Sequence, residues 1–132
     1  MIARTALALC ALALVSAAPP AGPPGVDKVQ LQEQPFPGPS DHTVLFHTRI
    51  ARGAGIPPHT HPGIEMTYVL QGRALVKIAG RPDLRVAAGD SFSIADGVVH
   101  SVRNVGSATL TLVSTYVVDK DKPLASPATG AP

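Results

Sequence analysis

Two stretches of the sequence decide the fold: GAGIPPHTHPGIEMTYVLQG, from Gly53 to Gly72, and GDSFSIADGVVHSVRN, from Gly89 to Asn104. Each combines β-branched or aromatic residues with turn-forming glycine. Outward from them, glycine recurs every eight or nine residues, at Gly72, Gly80, Gly89, Gly97 and Gly106. Turn residues at that interval predict short antiparallel strands in a sandwich or barrel. The sequence therefore predicts an all-β fold.

The segments beside these turns have the residue pattern of strands. Arg73 to Ala79 alternates apolar with polar residues, and Ser91 to Ile94 alternates serine with larger apolar residues. Further β-branched or aromatic runs cover Thr43 to Ile50, Glu65 to Gln71, Val98 to Val102 and Ala108 to Val118. No segment after residue 18 has a convincing helical period. We expect a single β domain over residues 41–118.

The N-terminus has the three-part pattern of a secretory signal peptide. Residues 1–18 contain one positive charge at Arg4, an apolar run from Ala6 to Val15, and small residues up to Ala18. The apolar run is too short to span a bilayer as a helix. We expect cleavage after Ala17 or Ala18, no membrane attachment afterwards, and a periplasmic or secreted protein.

Cysteine content and charge limit the functions that are open to the mature chain. The one cysteine, Cys10, would leave with the signal peptide, which excludes disulfides and thiolate ligands. Any bound metal would then use nitrogen and oxygen ligands. The formal net charge is +2, and the basic residues are scattered. A clustered basic face is missing from the sequence, so we expect no nucleic-acid partner.

Proline-rich segments flank the predicted domain. Residues 19–40 contain two such stretches and are predicted to form an extended arm, in which Lys28 to Gln34 alternates enough to add an edge strand. Residues 119–132 are charged and then rich in Pro, Ala, Ser and Thr. That composition predicts a mostly disordered tail.

Three of the five histidines and one glutamate are arranged for a shared site. Alternate residues of an extended segment point the same way, so His59 and His61 can act as adjacent ligands. Pro62 and Gly63 permit a turn that returns Glu65 toward the same centre. His100 alternates with valines that are expected to face inward, where a lone polar ring is costly unless it is paired. The pattern therefore predicts that the three histidines and the glutamate meet inside the fold.

The spacing of these residues resembles the two motifs of the cupin superfamily. The first stretch reads G-(x)5-H-x-H-(x)3-E-(x)6-G and the second reads G-(x)5-A-x-G-(x)2-H-(x)3-N. The one departure is Ala95, where the second motif usually has proline, a residue that stiffens the turn and donates no ligand. The chain resembles small, single-domain periplasmic cupins that are often compared with quercetin dioxygenases.

The resemblance implies a double-stranded β-helix, the cupin jelly-roll barrel, that holds one divalent transition metal. The implied ligands are His59, His61, Glu65 and His100, and the metal is Mn, Fe, Ni, Cu, Co or Zn, which this ligand set does not distinguish. Glu65 is also the catalytic candidate, as a carboxylate that partly detaches from the metal to accept a substrate proton. The resemblance also implies a homodimer, because many cupins pair through sheet edges that would otherwise stay open.

Two functions are compatible with such a site. The first is a metal-dependent enzyme, dioxygenase-like, that acts on a small organic molecule bound to the metal through oxygen. The second is a non-catalytic module whose metal captures a small ligand or secures the fold, because one fold hosts many functions. Candidates for the pocket wall, or for plain core packing, are Thr67, Val69, Val76, Ile78, Phe92, Val102 and Tyr116. His42, predicted to lie in a solvated loop, and His47, on a strand of undetermined facing, match neither motif.

Overall fold

In the computed structural model, which describes residues 22–36, 40–130 and 132, the chain forms ten strands and no helix. The expectation of an all-β single domain is thereby confirmed. The strands are β1 (Val26–Pro35), β2 (Asp41–Ile50), β3 (Gly55–Thr60), β4 (Gly63–Gln71), β5 (Arg73–Ile78), β6 (Leu84–Ala87), β7 (Ser91–Ile94), β8 (His100–Asn104), β9 (Leu110–Asp119) and β10 (Ser126–Pro127).

The strands form two antiparallel five-stranded sheets. The first has the order β1-β2-β9-β4-β7 and the second has the order β10-β3-β8-β5-β6. Neighbouring strands are often far apart in sequence, as in the pairs β2 with β9 and β3 with β8. This alternation of the chain between two sheets is the jelly-roll arrangement.

Two apolar clusters fill the space between the sheets. The larger one joins both sheets and consists of Ile50, Val69, Ala74, Val76, Ile78, Val86, Phe92, Ile94, Val102, Leu110 and Leu112. Each fully buried Val, Leu, Ile or Phe side chain in such a core contributes about 1.5–3 kcal/mol. The smaller cluster contains Val44, Phe46, Tyr116 and Val118, with Leu124 packed against it. The edge-to-face contact between the rings of His61 and Tyr116, with centroids 4.8 Å apart, connects this cluster to the histidines.

Strand β9 shows how alternation brings polar groups inside. Its residues are buried and half-buried by turns from Leu110 to Asp119. Four of its five inward positions hold residues that are typical of a hydrophobic core. The same alternation directs Ser114 and the hydroxyl of Tyr116 inward, where the two residues are 2–3% exposed. The strand therefore places polar groups beside Glu65, which pairs with Tyr116 across β4 and β9.

The loop between β3 and β4 depends on a glycine. Gly63 has φ +145°, and a Cβ atom there would lie 2.0 Å from the carbonyl oxygen of Val117. Only glycine permits both this backbone conformation and this close approach. The turn that the sequence predicts at Pro62-Gly63 is thereby confirmed, and it directs Glu65 to the inner face.

The N-terminal arm is more ordered than its composition indicates. The predicted edge strand forms, and it extends beyond Lys28 to Gln34 to cover Val26–Pro35, antiparallel to β2. A register shift between Gln30 and Gln32 interrupts the pairing. Residues 19–21 and 37–39 of the predicted arm lie outside the described residues, as do the predicted signal peptide at residues 1–18 and its Cys10.

The C-terminal segment differs from the predicted disordered tail. Ser126 pairs with Thr60 and Pro127 with His59, so this segment adds β10 to the edge of the second sheet. The physical reason is Leu124, which packs against the smaller apolar cluster and anchors the segment. Composition alone does not reveal such an anchor, because one apolar residue among Pro, Ala and Ser is enough.

Among residues 22–36, 40–130 and 132, no helix is long and apolar enough to cross a membrane.

Candidate metal centre

The fold brings the four predicted residues together between the two sheets. His59 lies in β3 and pairs directly with His100, the first residue of β8. His61 follows β3 by one residue, and Glu65 lies in β4. The three imidazole rings have centroid separations of 4.1–5.0 Å, and one nitrogen from each lies within 4.8 Å of the others. All four residues are buried, with exposed fractions of 1–9%.

Each imidazole ring is oriented by a backbone carbonyl. The Nδ1 atom of His59 lies 2.8 Å from the oxygen of Pro57, that of His61 lies 2.6 Å from the oxygen of Leu124, and that of His100 lies 2.9 Å from the oxygen of Val98. A carbonyl oxygen only accepts, so Nδ1 must donate in all three rings. The Nε2 atom of each neutral ring therefore carries a lone pair, the form in which histidine binds metals.

The lone pairs point at one another and at a carboxylate. The Nε2 atoms of His61 and His100 both lie 3.2 Å from the Oε2 atom of Glu65. Both nitrogens are buried and lack a hydrogen-bond donor among the described residues. Two nitrogen lone pairs facing a carboxylate repel unless a positive charge lies between them. These orphaned acceptors fit a divalent cation, because it satisfies all of them at once.

The other oxygen of Glu65 is held by the protein. Its Oε1 atom accepts hydrogen bonds from the hydroxyl of Thr67 at 2.7 Å and from that of Tyr116 at 3.1 Å. The Thr67 hydroxyl also lies 2.7 Å from the Ser114 hydroxyl. Because the Thr67 proton goes to Glu65, the Ser114 hydroxyl donates this second hydrogen bond and Thr67 accepts it. Because Oε1 has these two donors, Oε2 is the oxygen that is directed toward the histidines. Fixing a ligand through its outer oxygen is a common way of orienting a metal site.

Electrostatics keep the site in the protonation state that a cation needs. Burial, together with the neighbouring His100, lowers the pKa of His59 to about 4, so this ring is neutral near neutral pH. Burial would raise the pKa of Glu65, but the close contacts of its carboxylate with His100, His61 and Thr67 outweigh burial and hold that pKa well below its usual value. Since the Nδ1 protons of these rings already go to carbonyls, their Nε2 atoms and the ionised Glu65 together form a ligand set for a cation.

Two further residues contribute to the site and were not predicted from the sequence. One is Leu124, whose carbonyl orients His61 and which was assigned to a disordered tail. The other is Lys28 of β1, whose ammonium donates a hydrogen bond to the Tyr116 hydroxyl at 3.0 Å. Lys28 and His59 both line a cavity of about 700 Å³, walled mainly by Phe46, Ile56, Pro57, Pro58, Ala125 and Pro127. The sequence placed Lys28 in a predicted alternating strand, but it did not indicate whether the Lys28 side chain points inward or outward.

The remaining predicted residues separate into contacts of the site and plain core. Thr67 and Tyr116 bind Glu65, as described above. The other five pocket-wall candidates are buried in the larger apolar cluster, as core packing predicts: Val69, Val76, Ile78, Phe92 and Val102.

The two histidines outside the motifs stay away from the cluster. His42 was predicted to lie in a loop, but it belongs to β2, where its Nδ1 lies 2.6 Å from an oxygen of Glu33. Strand pairing of β1 with β2 explains the difference: Glu33 pairs with Val44 and Pro35 pairs with His42, so Glu33 and His42 are diagonal neighbours on the paired strands. His47 alternates with the buried Phe46 and Thr48, so it faces outward.

Comparison with known proteins places the chain in a family. The Cupin domain family matches residues 46–116. The putative germin-like protein 3-4 of Oryza sativa subsp. japonica is 33% identical over 105 residues, which cover 73% of this chain and 46% of that protein. The chain thus spans about half the length of the curated relatives it matches.

Solved structures agree on the fold. A recombinant oxalate oxidase in complex with glycolate superposes with a TM-score of 0.63 at 23% identity, covering 89% of this chain and 62% of that one. The DMSP lyase DddQ from Ruegeria pomeroyi DSS-3 gives a TM-score of 0.65 at 20% identity, covering 78% and 51%. Together with the family match and the jelly-roll topology, these similarities show that the chain belongs to the cupin superfamily.

Proposed function

We propose that the protein is an exported cupin that binds one divalent transition metal through His59, His61, Glu65 and His100. The observation that carries this proposal is the convergence of two buried, unpaired Nε2 atoms on Oε2 of Glu65 at 3.2 Å. Three neutral imidazoles and one carboxylate leave a divalent ion with net positive charge, and they suit Mn, Fe, Ni, Cu, Co or Zn.

We further propose that the bound metal serves a reaction on a small organic molecule, with dioxygenase-like oxidoreductase chemistry as the leading class. A redox-capable metal held there would supply oxygen chemistry and polarise a substrate oxygen. The support is that the cavity reaches the cluster at His59, the most exposed of the three rings. The germin-like relatives and the oxalate oxidase structure are consistent with this class.

The surrounding residues have separate roles in this proposal. Glu65 accepts a substrate proton, and Thr67 and Tyr116 hold its Oε1 while Oε2 faces the histidines. Burial, followed by the charge of Glu65, raises the pKa of Tyr116 above its usual value, so its hydroxyl stays protonated and donates. The apolar cavity wall limits access of water to the site.

Oxygen consumption tests the enzymatic part. The mature protein, reconstituted separately with iron, manganese, copper and nickel, is supplied with a panel of flavonols, diketones and small organic carboxylates. We expect oxygen uptake with one metal, loss of uptake in His100→Ala, and unchanged uptake in His47→Ala, a control of the same residue type on the outer face. Absence of turnover with every metal would remove the dioxygenase assignment.

A non-catalytic ligand-binding cupin is the second candidate, and the composition of the cavity favours it. Within the part of the chain that the structure describes, Lys28 and Asp27 are the only charged residues that line the cavity, and Asp27 is exposed at its rim. Apart from the exposed Asp27, those lining residues include no acid that could work with Glu65. Binding of a cavity ligand to the metal-loaded protein without oxygen uptake would select this candidate.

Export and oligomeric state remain predictions. The signal-like pattern of residues 1–18 supports a periplasmic or secreted location, which N-terminal sequencing of the protein recovered from cell fractions would test. A homodimer is also predicted, and β4 offers a row of exposed apolar side chains on its outer face: Ile64, Met66, Tyr68 and Leu70. Light scattering of the purified protein measures the oligomeric state directly.

A further inference from the structure

Lys28 has its ammonium group close to the metal cluster. On β1 it pairs with Thr48, which is 2% exposed, so the two side chains share the inner face. From Nζ of Lys28, one hydrogen bond of 3.0 Å leads to the Tyr116 hydroxyl and a second of 3.1 Å leads from there to Oε1 of Glu65. Two hydrogen bonds therefore separate the ammonium from a proposed metal ligand.

The Lys28 ammonium has more N–H donors than it has acceptors among the described residues. It carries three N–H groups, and within the described residues the Tyr116 hydroxyl is its one hydrogen-bond acceptor. The rings of Phe46 and Tyr116 lie beneath it, with centroids 4.6 and 4.5 Å from Nζ. Aromatic faces stabilise the positive charge but leave strong donors unused. Since Lys28 lines the same cavity as His59, those donors are available to a molecule in the cavity.

The charge balance favours an anion there. In the metal-free protein, Lys28 is partly balanced by the carboxylate of Glu65. A divalent cation in the cluster takes up that carboxylate, and the three neutral histidines add no negative charge. The loaded site then has two positive groups beside one cavity with mainly apolar walls, the ion next to His59 and Lys28, and the one other charge that lines this cavity among the described residues is the exposed carboxylate of Asp27. Such a cavity binds negative charge strongly, because water screens it little.

We propose that Lys28 is the anion-binding residue of this cavity and that the ligand is a small organic carboxylate held between Lys28 and the metal. This inference rests on the proposed metal site and names the substrate class for it. Lys28 then acts as a specificity residue: it selects the charged form of the ligand and fixes which end of the ligand faces the metal. A neutral molecule of the same shape leaves the ammonium unpaired and is rejected.

The test measures binding rather than turnover. Acetate, oxalate and benzoate, each beside its neutral amide, are titrated into the cobalt-loaded protein, and affinity is followed by calorimetry and by the visible absorption of the cobalt. The variants are Lys28→Met, which keeps the length of the side chain, and Lys28→Arg, which keeps its charge. Lys77→Met is the matched control, because Lys77 is exposed on β5. Metal content and thermal unfolding are measured for each variant.

We expect at least one carboxylate to bind in preference to its amide. Loss of a charge-assisted hydrogen bond should weaken that binding at least about tenfold in Lys28→Met, with partial recovery in Lys28→Arg. Lys77→Met should match the unmodified protein, and every variant should retain its cobalt. Unchanged carboxylate affinity in a folded, cobalt-loaded Lys28→Met protein, or no carboxylate binding to the loaded parent, overturns this inference alone. Failure of the parent to take up any metal overturns the proposed function and this inference with it.

Discussion

The hydroxyl of Thr67 should control both the stability of the metal-free protein and its affinity for metal. It lies 2.7 Å from Oε1 of Glu65 and 2.7 Å from the Ser114 hydroxyl, at a residue that is 2% exposed. Thr67→Val keeps the shape but removes both contacts, so a buried carboxylate loses a donor and Ser114 loses its acceptor. Leaving two such groups short of a partner costs about 2–4 kcal/mol of unfolding free energy.

For a domain of this size, that loss lowers Tm by roughly 10–20 °C. The affinity for metal should fall about 10- to 100-fold, as it does when the outer partner of a ligand is removed. Thermal unfolding by circular dichroism gives the first quantity, and competition with a chelator of known affinity gives the second. Thr115→Val makes the same chemical change on the outer face of β9, where Thr115 is half-buried. We expect that control to stay within about 0.5 kcal/mol of the parent. If the two variants behave alike in both assays, the anchoring of Glu65 by Thr67 is refuted.

Three further predictions follow from the same contacts. Deleting residues 123–132 removes the Leu124 carbonyl that orients His61, and chelator competition should show metal affinity about tenfold lower or worse; equal affinity would mean that His61 needs no such support. Gly63→Ala places a Cβ atom 2.0 Å from a backbone oxygen, whereas the Cβ atom in Gly80→Ala, at φ +75°, meets nothing within 4 Å. Gly80→Ala should therefore lose about 1 kcal/mol of unfolding free energy in urea from backbone strain alone, and Gly63→Ala should lose more. Similar losses in the two variants would contradict the close approach at Gly63. Saturating metal should raise the unfolding free energy, by about 2.7 kcal/mol at a hundredfold excess over Kd, and a Tm that does not respond to metal or chelator would argue against a folded-state site.

Local rules were sufficient to predict most of the fold and the histidine cluster. The interval between glycines marks the turns, and Gly53, Gly72, Gly89 and Gly97 all have positive φ in the structure. Alternation predicted that His59 and His61 would share a face, and only a turn was needed to bring Glu65 to them. These features depend on residues that are close together in the chain, which is why they could be predicted from the sequence.

Contacts between distant segments could not be predicted in this way. Lys28 meets Tyr116 across 88 residues and His61 meets Leu124 across 63 residues. In β1, hydrophobicity favours Val29 and Leu31 as the inward residues, yet they are 46% and 48% exposed while Lys28 faces the cavity. Register with β2 decides that facing, and a shift of one residue reverses it.

Metal content measured in matched variants tests whether the three histidines and Glu65 form a metal centre. The mature protein is purified without an affinity tag or chelator, and its metals are quantified beside those of His59→Ala, His100→Ala and His47→Ala. We expect close to one equivalent of a divalent transition metal in the parent and in His47→Ala, with loss of that metal in the other two variants. A folded parent that carries no metal even after reconstitution, or His59→Ala and His100→Ala proteins that retain it, would contradict the four-residue metal centre.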